Sequence, residues 1–436
     1  MPRNIPQTVL LIIFLVLASA AYWAGVAGVP FHPDESTQIF MSQDVEIFLN
    51  DPAALAWRAD AVGDLRQHYR LMDAPLPRTW IGLSRLVAGQ PTNPADWDWT
   101  LSWQQNTERG ALPAQGTLLA ARLAMALFFP LTLLLTYRTG VLLAGPAAGW
   151  TALLLTASNA LVLLHTRRAM AEGSLLFTVT LSWWCMLRGG RRPWLMALPL
   201  ALAFLSKQSA AALLVPAGLA LLTPLGGTRP WPARWKNTLI AATIFLAVVA
   251  LFNPFLWRQP LEAVQAAARE RAAFTQAQVE AHSARGGALL AGSLPERLVG
   301  IVAQLFITPP AVMDVANYRA ELAEEIARYT INPLHNLLRG FAGGGLLLLF
   351  SLFGLLAAGM RAVRRRATAR PALALFAVAG LAQVAMLLLV PVPFQRYSVI
   401  LVPYAALWIG VGAAQVWAAR SFCGRRGGSY MEPPLP

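Results

Sequence analysis

Apolar stretches long enough to cross a bilayer recur along almost the whole chain, and they restrict its fold more than any other feature. Crossing about 30 Å of hydrocarbon takes roughly 20 helical residues. Ten segments fit this pattern: residues 9–29, 117–137, 141–164, 171–187, 193–206, 209–225, 237–257, 338–360, 371–391 and 397–418. The expected fold class is an all-α polytopic membrane protein of about ten transmembrane helices. A composition of 56% hydrophobic and 13% charged residues, with mean hydropathy +0.51, lies outside the range of soluble domains. Segment 193–206 is short and holds Pro199, so a helix that is tilted, broken or buried in the bundle is expected there.

The net charge is +14, from 35 Lys and Arg against 21 Asp and Glu. In a soluble protein this balance would suggest a nucleic-acid partner, but the positions of the charges argue otherwise. Arg188, Arg191 and Arg192, then Arg229, Arg234 and Lys236, then Arg361, Arg364, Arg365, Arg366 and Arg370, and finally Arg420, Arg425 and Arg426 fall in alternate connections. That is the signature of cytoplasmic loops. Nearly all acidic residues lie in the other set, so the basic pI is a by-product of topology and no nucleic-acid partner is expected.

On this topology both termini face the cytoplasm, and residues 419–436 form a cytoplasmic tail. Loops 30–116 and 258–337 emerge on the outer face of a single integral domain in the cell membrane. The first loop contains "NPADWDWTLSWQQN", whose Trp97, Trp99 and Trp103 suit an interfacial belt or, alternatively, a surface that stacks on a sugar or shields a lipid carrier. The second contains a Pro-led stretch rich in Ala, Gln, Glu and Arg, which reads as a helix on the membrane surface. An "ASA" at Ala18 to Ala20 resembles a leader-cleavage site, but the apolar run continues past it, so a retained first span is expected. Cys185 in a span and Cys423 in the tail lie too far apart to pair. The chain shows neither internal repeats nor the paired broken spans of an inverted-repeat transporter.

An ionisable residue at or near a span costs a few kcal/mol and calls for a reason. Asp34 and Glu35 in "HPDE" follow the first span. Arg167, Arg168 and Glu172 lie in "HTRRAMAEGSLLF" between the third and fourth. Lys207 in "FLSKQSA" and Arg396 in "VPFQRYSVI" occupy later outer turns. Each cation taken singly could snorkel to headgroups. Together they converge on one face, where basic residues are disfavoured, and describe an anion-binding cavity beside a pair of carboxylates. Such a site suits transfer from a lipid-linked phosphate: cations hold the phosphate, and a carboxylate takes the proton of an attacking hydroxyl. No carboxylate or His cluster for a metal is evident. A divalent cofactor at His32 stays open beside a helix-starting role for that residue. Asn332 and His335 in "INPLHNLL" precede the eighth span and read as interfacial loop residues.

In order along the chain, "DE" after the first span, "RRAMAE", the Lys after the fifth span, "NPFLWRQP" after the seventh and Arg396-Tyr397 before the last resemble the phospholipid-carrier-dependent glycosyltransferases of the GT-C superfamily. That group includes protein O-mannosyltransferases and the aminoarabinose transferases of lipid A. The resemblance implies a GT-C bundle with surface-lying helices in the outer loops and a polyprenyl-phosphate-linked sugar as donor. It implies Asp34 as base, with Glu35 orienting it or binding the sugar. It also implies Arg167, Arg168, Glu172, Lys207, Arg396 and Tyr397 about the carrier phosphate, and inversion at the anomeric carbon. The acceptor would be a hydroxyl of a lipid, glycan or protein. A transporter or flippase of a lipid-phosphate substrate is the alternative, since it too needs cations in a membrane cavity.

Overall fold

The computed structural model describes residues 5–61, 63–188, 192–226, 229–284, 292–313, 318–364, 370–392 and 394–426. Arg191, Arg365, Arg366 and residues 427–436 of the expected tail lie outside that set, as do the side chains of Cys423 and of the other basic residues in 361–370 and 419–426. The described residues form helices and no strand.

All ten apolar segments are helical. Six helical runs are long and apolar enough to cross a membrane: Gln7–Ala24, Gln115–Ala144, Trp231–Phe252, Gly340–Met360, Pro371–Leu388 and Gln395–Ala418. The remaining expected spans are shorter, for local reasons. Segment 141–164 divides because Gly145, at φ 98°, and Pro146 end one helix and begin another. Asn159 then caps a fresh turn by accepting the backbone N–H groups of Leu161 and Val162.

The helices that build the bundle and the site are numbered α1 (Ile5–Ala24), α2 (Pro33–Met41), α3 (Leu65–Met72), α4 (Pro75–Val87), α5 (Gln115–Ala126), α6 (Phe128–Ala144), α7 (Pro146–Ala157), α8 (Glu172–Leu187), α9 (Pro193–Ser206), α10 (Leu214–Leu222), α11 (Trp231–Phe252), α12 (Pro260–Ala284), α13 (Gly340–Arg364), α14 (Arg370–Leu388) and α15 (Val402–Arg426). Neighbouring pairs α6·α7, α6·α8, α8·α9, α9·α11, α7·α15 and α13·α15 carry the packing. One continuous apolar cluster threads them, from Tyr22 and Val26 through Leu133, Leu161 and Trp183 to Leu407 and Val411. The helix α9 runs unbroken through Pro199 because α8 and α11 enclose it, burying Met196, Ala197, Leu200 and Ala203. Outer faces are apolar and exposed, as at Val16 on α1 and Leu246 on α11, which is what a lipid-facing surface requires.

The two large loops, 30–116 and 258–337, fold onto one another. Trp97 is 3% exposed and packs with Phe31, Trp103 and Tyr318, the last drawn from the second loop. An indole so enclosed cannot reach the headgroups, so the expectation of a Trp belt is corrected for Trp97, and Trp103 packs half-buried against the same small core. Trp99 keeps an exposed edge and rests against Tyr318. The Pro-led stretch is the 25-residue helix α12, which lies along α3.

Candidate active site

"HPDE" folds as a helix start. His32 is the N-cap of α2, its Nδ1 accepting the Asp34 backbone N–H at 3.1 Å, and Pro33 begins the helix. Glu35 closes a capping box by accepting the His32 N–H at 3.0 Å. The same carboxylate takes the Arg122 guanidinium, Oε1 to Nε and Oε2 to Nη2, both at 2.8 Å, and the Ala169 N–H at 2.8 Å. Glu35 is fully buried. Burial alone would raise its pKa, but the Arg122 charge and hydrogen bonds outweigh that and hold the carboxyl below its ordinary value. Glu35 therefore fixes α2 against α5 and the turn at Ala169, and offers no oxygen to a sugar.

Asp34 points the other way. Its side chain is one-third exposed, and Oδ2 accepts from Arg396, 362 positions later in the chain. Arg396 belongs to the short helix Gln395–Ser398. Gln395 pins that helix by donating to Thr308 Oγ1 at 3.0 Å and to the Pro309 carbonyl at 3.0 Å. Next to Arg396 the Tyr397 ring lies 4.8 Å from Lys207 Nζ and 5.5 Å from the Arg396 guanidinium. Lys207, at the end of α9, donates to Glu172 at the start of α8 at 2.8 Å. Asp34, Arg396, Tyr397, Lys207 and Glu172 are thus one cluster of two cations, two carboxylates and a phenol.

Arg167 and Arg168, expected at the phosphate, bind backbone carbonyls. Arg168 is 1% exposed and gives its guanidinium to the carbonyls of Pro30 and Val312. Arg167 donates to the Tyr22 carbonyl at 3.0 Å, lies over the Tyr22 ring and reaches His335 Nε2 at 3.3 Å. Arg167 satisfies a carbonyl left over in the last turn of α1, and Arg168 ties the chain before α2 to the second large loop through their carbonyls. His335 stacks on Tyr329, and Asn332 caps the turn before it.

Sequence reading overlooked four residues near the cluster. Arg122 was legible, as a charge inside an expected span. Asp73, Asp96 and Arg271 carried no such signal, because they stand in polar loops. Gln38, one turn beyond Asp34 on α2, donates to Asp73 Oδ2 at 3.4 Å. Tyr69 donates to Asp96 Oδ2 at 2.5 Å. Burial pushes the Asp73 carboxyl up against the pull of Arg271 and Arg78, and pushes Asp96 up against its hydrogen bonds from Tyr69 and Thr37. Arg271 of α12 donates to the Met72 carbonyl and to Gln208 Oε1 at 3.2 Å, beside Lys207. Among the described residues no group of three His, Cys, Asp or Glu side chains is close enough to hold a metal ion.

Neither a protein-family model nor a curated protein matches the sequence. Solved structures do. An archaeal oligosaccharyltransferase, AglB from Archaeoglobus fulgidus in complex with an inhibitory peptide and a dolichol-phosphate, superimposes at TM-score 0.51 and 13% identity over 99% of this chain and 53% of its own. The apo form of the Archaeoglobus fulgidus oligosaccharyltransferase gives TM-score 0.52 and 13% identity, over 98% of this chain and 53% of its own. ArnT from Cupriavidus metallidurans, bound to undecaprenyl phosphate, is at TM-score 0.49 and 14% identity over 95% and 63%. The chain spans about half the length of the oligosaccharyltransferase structures it matches. It has their fold.

Proposed function

We propose that this protein is a membrane glycosyltransferase that moves a sugar from a polyprenyl-phosphate carrier to a hydroxyl group on the extracytoplasmic face. The observation that carries this reading is the Asp34–Arg396 pair beside Lys207 and Glu172, two carboxylates and two cations brought together from four distant segments. In this reading the carrier phosphate lies against Arg396 and Lys207. Asp34 takes the proton of the acceptor hydroxyl as its oxygen attacks the anomeric carbon. The bond from that carbon to the phosphate oxygen breaks, and the carrier leaves as polyprenyl phosphate with its new charge facing the two cations. One displacement inverts the anomeric configuration. Glu172 keeps Lys207 in place, and Glu35 holds the helix that carries Asp34. The shared fold supports the reading, since AglB was captured with a dolichol-phosphate.

Asp34→Asn tests it. Transfer of labelled sugar from polyprenyl-phosphate donors by the purified protein in nanodiscs should fall about 10²- to 10⁴-fold. Binding of dolichyl phosphate should persist. Full turnover by the variant would remove Asp34 as the base, and carrier movement across vesicles without transfer would favour a flippase.

A further inference from the structure

The face of α2 that carries Asp34 also carries Thr37 and Gln38, at the i+3 and i+4 positions. Residues from α3 and the turn after it lie against that face. Gln38 Nε2 donates to Asp73 Oδ2 at 3.4 Å, and the Tyr69 hydroxyl donates to Asp96 Oδ2 at 2.5 Å. These groups border the candidate active site directly. Burial pushes the Asp73 carboxyl up, Arg271 and Arg78 pull it down, and the charges of Asp34 and Lys207 also reach it. The Tyr69 phenol is pushed up by burial and then by Asp96, Asp73 and Asp34. Asp34, Gln38, Asp73 and Lys207 each keep part of their surface open.

Around Asp34 the hydrogen-bond donors are committed and acceptors are left over. Arg396 donates to Asp34, Lys207 to Glu172 Oε1, Gln38 to Asp73, Tyr69 to Asp96, and Arg271 to the Met72 carbonyl and Gln208. Three buried acceptor atoms have no hydrogen-bond partner: Gln38 Oε1, Asp96 Oδ1 and Glu172 Oε2. Asp96 is 6% exposed and Glu172 2%, so bulk water does not serve them. Each buried polar atom left without a partner costs about 1–3 kcal/mol, which a ligand bringing donors recovers.

The surplus of acceptors indicates what that ligand is. A phosphate brings further negative oxygens and is repelled by these carboxylates, and a lipid tail brings no donor. A metal ion would need three acidic or His groups within reach, and the described residues hold no such group. The hydroxyls of a sugar ring donate and carry no charge. Residues one turn apart on a helix stand about 5–6 Å apart, a distance that one sugar ring spans. We propose that Gln38 and Asp73 accept hydrogen bonds from hydroxyls of the sugar on the donor, holding its ring along α2 beside Asp34. This rests on the reading that the carrier phosphate lies against Arg396 and Lys207.

Binding of three probes to the full chain in nanodiscs tests the proposal: dolichyl phosphate, dolichyl phosphate mannose and dolichyl phosphate glucose. The wild-type protein is expected to bind at least one sugar-bearing carrier about tenfold more tightly than the bare one. Gln38→Leu and Asp73→Asn should each lose most of that gain and bind bare dolichyl phosphate as the wild type does. Gln38→Leu removes a buried acceptor that has no partner, so its melting temperature should not fall, whereas a purely structural Gln38 would lower it. Equal binding of all three probes by the wild type, a gain that survives both substitutions, or loss of bare-carrier binding in both variants would each overturn the proposal. A surviving gain combined with slower transfer of labelled sugar would put the acceptor there instead. If the wild type binds none of the three, the carrier-dependent reading fails as well; if it binds all three equally, only the sugar subsite fails.

Discussion

Asp34 and Glu35 are neighbours with opposite surroundings because successive residues on a helix point about 100° apart. Once His32 starts α2, one carboxylate faces inward to Arg122 and the other outward to Arg396. Nothing in the order of the letters says which. Glu35 has its folded pKa lowered, so its stabilising effect is complete above its unfolded value near 4.5 and is lost as pH falls through the lower, folded value. Glu35→Gln removes one partner of a buried pair and should cost about 3–5 kcal/mol at neutral pH. Thermal unfolding in detergent should show that deficit shrinking below pH 4.5, while the wild-type protein loses stability there. Arg122 could have been found from sequence, since a guanidinium in an apolar span needs a carboxylate partner. That Arg167 and Arg168 serve carbonyls could not, because the carbonyls of Tyr22, Pro30 and Val312 belong to segments far away in the chain.

Among the elements, the apolar runs located the bundle's helical segments but not their breaks, since α6 runs through 138–140, and the breaks have local causes. Gly145-Pro146 and Asn159 break what looked like one span, and α9 survives Pro199 because its neighbours enclose it. The contact between α13 and α15 depends on small residues. A Cβ built on Gly354 would lie 1.9 Å from the Trp408 carbonyl oxygen, and one on Gly412 would lie 3.1 Å from Gly354 Cα. Gly-to-Gly contact of this kind lets helices approach closely where no hydrophobic force between them is available in lipid. Gly354→Ala should therefore force α13 and α15 apart and lower stability by about 1–3 kcal/mol. A melting temperature equal to that of the wild type would show that the helices do not touch there.

At the scale of the molecule, the basic loops determine an expected orientation with the cluster outside. Ser293→Cys, in the second large loop, should react with a membrane-impermeant maleimide in intact cells, and Lys236→Cys should react only after permeabilisation. The reverse pattern would place the cluster on the cytoplasmic side. Composition and apolar run length were enough for an all-α membrane protein, because hydrocarbon leaves a 20-residue apolar run few ways other than a helix to satisfy its backbone. Charges out of place in apolar sequence were enough to nominate Asp34, Lys207 and Arg396, because each carries a solvation cost that an isolated side chain would not repay. Which cations stand beside Asp34, which are bound to carbonyls, and that Asp73, Asp96 and Arg271 close in around them were decided by the tertiary structure alone. Those contacts join segments up to 362 residues apart, and in polar loops a charge that water can solvate leaves no trace in the sequence of the partner it will meet.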